Sequence, residues 1–179
     1  CNVEFNILTL VNAFNVGSPD EIFDFFVDQQ VQFLQFIPCV EQDPNTGQIA
    51  DFSITPNQYG DFLCRIFDLW YEYGPRKISI RLFDSILSYC VMGRHSICTF
   101  MPRCNDYIVI EHNGDAFCCD FFVTEEWKLG NIMDAPIEKL AGSKVKREFS
   151  GCKRKIHNKC LVCRHLDMCR GGCMKDRIA

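Results

Sequence analysis

Residues 160–173 read CLVCRHLDMCRGGC, a stretch in which four of the fourteen residues are cysteines. The whole chain of 179 residues has 13 cysteines, is 47% hydrophobic and contains 16 Phe. Disulfide-dense domains are usually small and have poor cores, whereas a chain of this length and composition can bury a core of ordinary size. We therefore interpret the clustered thiols as metal ligands and not as a disulfide framework.

The charge and hydropathy of the chain favour a soluble cytoplasmic protein. Its formal net charge is −4, and no apolar run approaches the roughly 18 residues that a membrane span needs. We expect no nucleic-acid or membrane partner, and we interpret the basic run at 144–155, KVKREFSGCKRK, as a solvated face. The chain opens on CNVEFNILTLV without a Met, so we expect it to be part of a longer protein.

The first ninety residues alternate predicted strands with predicted helices. Strands are indicated at 3–11, 31–38 and 77–83. Helix starts are indicated by Ser18, with Pro and Glu in the first turn, and by Thr55, whose capping box is closed three residues later. Alternation of this kind predicts parallel strands with crossover helices, so the fold class is α/β and this half is an incomplete barrel or open sheet.

The chain changes character after Gly93, and we predict two domains, 1–93 and 94–179. The second contains Asn113-Gly114, the strongest short signal for a β-hairpin. A single helix is predicted at 136–149, and the cysteine-rich segment follows it.

We interpret two groups of cysteines together as candidate metal ligands. One group is spread over 98–119, and the other has the spacing C-x2-C-x5-C-x3-C. Zinc accepts any four thiolates in a tetrahedron, and iron–sulfur clusters also take four. In two-cluster ferredoxins the last cysteine of such a run ligates the other cluster.

The same arrangement, in which the last cysteine of a run ligates the other cluster, would explain the number of cysteines here. If the last cysteine of the run joins the earlier group, one complete four-thiolate site results and three ligands remain for a second site. Cys152 is a weak candidate for the eighth ligand, a cysteine after Ala179 is a better one, and His165 is not needed. We call the two groupings the first set (Cys98, Cys104, Cys119 and Cys173) and the second set (Cys160, Cys163 and Cys169).

The six other cysteines have no such spacing. Cys64 and Cys90 lie on apolar predicted helices, where we expect them to pack as small hydrophobes. The six are Cys1, Cys39, Cys64, Cys90, Cys118 and Cys152.

The cysteine pattern, together with the glycine in Cys104-x9-Gly114-x4-Cys119, resembles the auxiliary-cluster domain of radical S-adenosylmethionine enzymes that modify peptides, the SPASM domain. Five further stretches are similar to the C-terminal half of anaerobic sulfatase-maturating enzymes. They are QFIPC, DLWYEYG, CDFFV, WKLGNI and GGCMKDR.

This resemblance implies a fold and a reaction. A partial TIM-type barrel would end in 1–93, and a small α+β SPASM-like domain would hold up to two auxiliary [4Fe-4S] clusters in 94–179, bound by the first and second sets. S-adenosylmethionine and a further [4Fe-4S] cluster would bind a C-x3-C-x2-C loop in a preceding part, which this sequence lacks, so we expect this chain alone to be inactive. The family converts a Cys or Ser of a sulfatase polypeptide to Cα-formylglycine with a flavodoxin- or ferredoxin-type reductant.

The resemblance also implies a catalytic base. The substrate thiol or hydroxyl must lose its proton as the carbon radical is oxidised. The family places an Asp directly after the third cysteine of the first cluster, and Asp120 has that position here. We expect this carboxylate to lie in a partly dry cleft beside the cluster.

Two other functions are consistent with the sequence. The chain is alternatively part of another SPASM-type enzyme, such as one that forms thioether crosslinks. It is alternatively a zinc-binding interaction module, a reading supported by the C-x2-C pair and the adjacent basic run. The Gly171-Gly172 pair before Cys173 favours the cluster domain, because a zinc ribbon does not require it.

Overall fold

The structure, a computed structural model, describes residues 3–105 and 107–177. The chain divides into two compact units, of which the first extends to Ile97 and the second spans Cys98–Arg177. The assignment of 1–93 to a barrel segment and of 94–179 to an auxiliary-cluster domain stays a prediction. No helix among the described residues is both long enough and apolar enough to cross a membrane.

The first unit is a three-stranded parallel sheet with helices between its strands. Its strand order is β1-β2-β3, with Ile7 opposite Leu34 and Phe33 opposite Ser79. The predicted parallel pairing and α/β class are confirmed, while the partial barrel stays a prediction. The elements are β1 Ile7–Val11, α1 Pro19–Asp28, β2 Phe33–Pro38, α2 Pro56–Tyr73, β3 Ser79–Ile80 and α3 Arg81–Met92.

Helix α2 supplies one wall of the core in this unit. Thr55 forms the predicted capping box: its Oγ1 accepts from the Gln58 amide at 3.2 Å, and its own amide donates to the Gln58 side chain at 2.9 Å. Phe62, Ile66 and Trp70 are buried on one face, as their spacing predicts. Tyr59 and Leu63, which share this spacing, are partly buried against the same core.

Three details of the first unit differ from expectation. The Ser18 side chain makes no capping hydrogen bond, although the helix begins at Pro19 as predicted. Phe67 lies at the three- and four-residue spacing that predicts a core position on helix α2, but it is 42% exposed. Cys64 and Cys90 are exposed, so their expected packing in the core is wrong. Both lie away from the buried faces of α2 and α3, which are covered by aromatic side chains.

The third predicted strand is much shorter than expected. It was predicted over 77–83, but only Ser79–Ile80 pairs with β2, and helix α3 begins at Arg81. Ser79 donates a hydrogen bond from its Oγ to Asp84 in the first turn of that helix. The helix also brings Phe83 against Trp70, with ring centroids 5.2 Å apart. Tertiary packing therefore overrides the strand propensity of the Ile-Arg-Leu-Phe run.

The second unit contains an antiparallel sheet and four short helices. Its strands lie in the order β4-β5-β6, and the predicted hairpin at Asn113-Gly114 is confirmed by the pairing of Val109 with Phe117. Single 3-10 turns occur at Cys98–Phe100 and Glu125–Trp127. The elements are β4 Val109–Ile110, β5 Asp115–Phe117, β6 Lys128–Asn131, α4 Ile137–Ala141, α5 Lys144–Cys152, α6 Asn158–Leu161 and α7 Leu166–Cys169.

The single helix predicted at 136–149 is two helices in the structure. Helix α4 ends where the Gly142 amide bonds back to the Glu138 carbonyl at 3.0 Å. Ser143 then caps α5, its Oγ accepting from the Lys146 amide at 3.2 Å. The Gly-Ser pair is therefore a stop signal followed by a start signal, which the apolar periodicity obscured.

The WKLGNI stretch, which contains β6, holds the hairpin of β4 and β5 in place. Asn131 donates from Nδ2 to the Asn113 carbonyl at 3.1 Å and to Asp115 Oδ1 at 3.0 Å. Lys128 pairs with the same Asp115 carboxylate at 2.8 Å. Trp127 packs on Phe149 of α5, with ring centroids 5.1 Å apart. This family-like stretch therefore has a structural role in joining the sheet to helix α5.

Gly130 in the same stretch meets helix α4 at close range. Its φ is +134°, and a Cβ atom there would lie 2.9 Å from Leu140 Cδ2. Leu140 is 5% exposed, so it has little room to move. Only glycine combines this backbone conformation with the approach of the leucine.

We expect Gly130→Ala to lower the free energy of unfolding by about 1–3 kcal/mol, the usual cost of backbone strain at such a position. Denaturant titration measures the change. Gly151→Ala is the matched control in the same unit, because Gly151 lies in helix α5 and the new Cβ would have only an ordinary 3.7 Å contact. Equal destabilisation by the two substitutions would contradict the role assigned to Gly130.

Candidate metal centre

Two thiols of the first set border the same tyrosine. The hydroxyl of Tyr107 lies 3.9 Å from Cys98 Sγ and 3.9 Å from Cys119 Sγ. Cys98 begins a 3-10 turn, and Cys119 follows strand β5. The hairpin therefore brings together two cysteines that are 21 positions apart in the chain.

The other two thiols of the first set interact electrostatically with Cys98. Burial raises the pKa of Cys104, and a charge on Cys98 raises it further. Burial likewise raises the pKa of Cys173, again with a contribution from Cys98. Burial raises the pKa of Cys119 to about 12. Two of the four thiols, those of Cys98 and Cys119, thus meet at the hydroxyl of Tyr107.

The raised pKa values describe thiols that are neutral at physiological pH when no metal is bound. Metals bind the thiolate form, so ligation by these cysteines releases protons. A positive charge nearby favours the thiolate, and helix α5 with its C-terminal residue supplies two such charges.

Lys146 and Lys153 are buried, with exposures of 4% and 2%. The prediction that the whole 144–155 run is a solvated face is therefore wrong for these two residues. They flank Phe149, which is fully buried on the same face of α5. The spacing of three and four residues around this phenylalanine is the sequence signal that could have identified them.

Each buried ammonium group binds two backbone carbonyls beside a predicted ligand. Lys146 Nζ donates to the Tyr107 carbonyl at 2.7 Å and to the Cys118 carbonyl at 2.9 Å. Lys153 Nζ donates to the carbonyls of Cys98 and of Thr99, the latter at 2.9 Å. Helix α5 thus holds both segments that carry Cys98 and Cys119.

Arg177 holds the segment that leads to Cys173. Its Nε donates to the Gly171 carbonyl at 2.8 Å, and its Nη2 donates to the Gly172 carbonyl at 3.1 Å. Its Nη1 donates to the Lys153 carbonyl at 3.0 Å. One guanidinium therefore connects the final loop to the end of helix α5, a role that the sequence analysis missed.

The Gly171-Gly172 pair forms a left-handed turn before Cys173. The φ angles are +52° at Arg170, +76° at Gly171 and +66° at Gly172. Successive residues in this region strongly favour glycine. A Cβ at Gly171 would also lie 3.0 Å from Arg177 Nη2, so the glycine admits the guanidinium.

The second set is less enclosed than the first. Cys160 and Cys169 lie on the short helices α6 and α7 and are partly exposed, and Cys163 between them is exposed. His165, which lies within the run, accepts a hydrogen bond from Arg164 Nε at 3.0 Å on its Nε2. The second set as a ligand group, and Cys152 as its possible fourth member, stay predictions.

The donor set of the first set consists of thiols, which both zinc and iron–sulfur clusters accept. Among residues 3–105 and 107–177, no three His, Cys, Asp or Glu side chains are close enough to hold one metal ion. A zinc ion draws its thiolates to about 2.3 Å from one centre. A [4Fe-4S] cluster separates its four cysteines by its own irons and sulfides. The thiols of the first set, with the buried cation of Lys153 beside Cys98, are chemically suited to such an anionic group.

Asp120 lies beside the first set but is exposed. Its Oδ1 accepts from the Tyr107 hydroxyl at 3.1 Å and from the Cys119 thiol at 3.2 Å. The second unit leaves this carboxylate exposed, and the partly dry cleft expected around it stays a prediction. Tyr107 contacts this carboxylate and two predicted ligands, but no motif in the sequence indicated that role.

Two kinds of match to known proteins were found: a domain family matches the cysteine region, and individual proteins match nearly the whole chain. Residues 98–169 match the SPASM family, described as an iron–sulfur cluster-binding domain. A cysteine-type anaerobic sulfatase-maturating enzyme of Clostridium perfringens is 34% identical over 98% of this chain and 48% of its own length. A serine-type enzyme of Bacteroides thetaiotaomicron is 34% identical over 99% of this chain and 46% of its own length.

A solved structure agrees with these relatives. The structure described as native anSMEcpe with bound AdoMet and Cp18Cys peptide is 33% identical and superposes with a TM-score of 0.85. The match covers 97% of this chain and 48% of that chain. The second unit is therefore an iron–sulfur domain of the SPASM class. The chain is similar over nearly its whole length to anaerobic sulfatase-maturating enzymes, and it spans about half the length of the relatives it matches.

We expect Arg177→Met to loosen the turn before Cys173, because several backbone carbonyls lose a charged donor. Each hydrogen bond to a charged group is worth about 1.5–3 kcal/mol, so the loss of unfolding free energy reaches at least this range. Amide exchange at 170–173 should accelerate. Arg164→Met, at an exposed arginine of the same segment, is the control. Unchanged exchange in Arg177→Met would contradict the assigned role.

Proposed function

We propose that this chain holds auxiliary [4Fe-4S] clusters within a radical S-adenosylmethionine enzyme that oxidises a Cys or Ser of a sulfatase to Cα-formylglycine. The observation that supports it most is the meeting of the Cys98 and Cys119 thiols at Tyr107, with the buried Lys153 beside Cys98, in the region that matches a cluster-binding domain. The names of the relatives supply the reaction class. One cysteine-type and one serine-type relative are each 34% identical to this chain, so the proposal includes both substrates.

The first set would bind one cluster and the second set, with a fourth ligand from elsewhere, another. When bound, such a cluster would accept an electron from the substrate radical as the radical is oxidised. The residues of this chain would fix the ligands in position. Lys146 and Lys153 hold the carbonyls beside Cys119 and Cys98, and Arg177 holds the loop before Cys173.

Asp120 would act as the base. Ligation by Cys119 removes the thiol proton, so the hydrogen bond from that thiol to Asp120 is lost. Tyr107 remains as a donor that orients the carboxylate. Among the described residues both contacts to Asp120 use Oδ1, which leaves Oδ2 for the proton of the substrate.

The content of iron, sulfide and zinc tests the metal assignment. We expect about four irons and four sulfides per chain for one cluster, and about eight of each for two, after reconstitution without oxygen. Cys98→Ser should remove one cluster, whereas Cys64→Ser, at an exposed cysteine of helix α2, should remove none. One or two zincs without sulfide would support the zinc-binding interaction module instead.

The assignment of the base predicts a separation of two activities. In the enzyme that contains this chain, Asp120→Ala should lower formylglycine formation by about 10²–10⁴-fold, the usual contribution of a general base, while S-adenosylmethionine cleavage remains measurable. Tyr107→Phe should have a smaller effect of the same kind. Asp134→Ala, at an exposed carboxylate of the same unit, is the control. Loss of both activities, or of neither, would count against Asp120 as the base, and a thioether product would indicate the other peptide-modifying class.

A further inference from the structure

Lys153 is a buried cation without a carboxylate partner among the described residues. The ion pairs that these residues form involve other basic side chains, namely Arg65, Lys128, Lys144 and Arg170. A buried charge costs several kcal/mol unless an opposite charge or strong hydrogen bonds compensate for it. The carbonyls of Cys98 and Thr99 provide partial compensation.

The ammonium of Lys153 lies beside the first set, because it donates a hydrogen bond to the carbonyl of Cys98. Burial lowers the pKa of Lys153, charges on Cys104, Cys173 and Cys98 oppose that shift, and the positive charge of Arg177 adds to it. Neutral thiols give little compensation to the ammonium, whereas thiolates that ligate a cluster give much more. The side chain is thus placed for a loaded site and not for an empty one.

We propose that Lys153 is the counter-ion of the first set: a positioning residue that fixes the backbone of Cys98 and raises the reduction potential of the cluster bound there. This inference rests on the proposed function. Reduction adds one negative charge to the cluster. A fixed ammonium stabilises the reduced form more than the oxidised form, so its removal lowers the potential.

Lys146 provides a matched comparison on the same helix. It is equally buried and also donates to two backbone carbonyls, so its loss would leave the same number of carbonyls without a donor. Its ammonium also lies 5.6 Å from the centroid of the Phe149 ring. The two lysines therefore share a structural role but bind different segments, because Lys153 binds the carbonyl of the predicted ligand Cys98 itself, whereas Lys146 binds the carbonyl of Cys118, which is not a predicted ligand.

The experiment is a redox titration of the reconstituted protein with dithionite, followed by electron paramagnetic resonance. The signal that is lost in Cys98→Ser identifies the cluster of the first set. At a fixed potential, Lys153→Gln should lower the ratio of reduced to oxidised cluster by about tenfold, which equals about 59 mV for a one-electron couple. Lys146→Gln should change this ratio much less, and Lys153→Arg should restore it.

The other outcomes also decide the question. Equal shifts in Lys153→Gln and Lys146→Gln, or no shift in either, would overturn the inference while leaving the proposed clusters in place. If Lys153→Gln takes up no iron, uptake by Lys153→Arg supports a role for the charge, and failure of both variants overturns it. A wild-type protein that takes up neither iron nor sulfide would overturn the proposed function together with this inference.

Discussion

The second unit depends on one buried helix face that carries cations where a core normally carries apolar side chains. Lys146, Phe149 and Lys153 lie on this face of α5 and its C-terminal end, and all three are buried. The phenylalanine packs on Trp127 of the sheet, while the lysines bind the carbonyls of loops that carry cysteines. Because loops lack a backbone ladder of their own, these bonds are what gives the cysteine segments a defined position.

In this arrangement the sheet and the cysteine segments are stabilised by different contacts. The sheet is stabilised by side-chain contacts around Asp115 and by the close approach of Gly130 to Leu140. The cysteine segments are held mainly by charged side chains that bind their carbonyls. The sheet and the cysteine segments are thus stabilised by different kinds of contact, and helix α5 takes part in both.

Local signals in the sequence predicted much of this fold. The capping box at Thr55 and the Asn113-Gly114 hairpin are defined within a few residues, and both are present. The third strand was overestimated because its propensity competes with the packing of Phe83 against Trp70, which only the tertiary structure reveals. The cysteine groups were predicted from their spacing and from the family resemblance. The residues that support them were not predicted, because a lysine is assigned to solvent by default and Tyr107 contacts residues distant in sequence.

The left-handed turn before Cys173 has a consequence for how such domains are recognised. Gly171 and Gly172 supply the backbone conformation, and Arg177, four residues after the cysteine, binds the carbonyls that this conformation presents. A sequence that kept every cysteine but lost the glycines or the arginine would retain the spacing and lose the turn. The informative signature of this segment is therefore Gly-Gly-Cys-x3-Arg, in which the arginine carries as much structural information as the thiol.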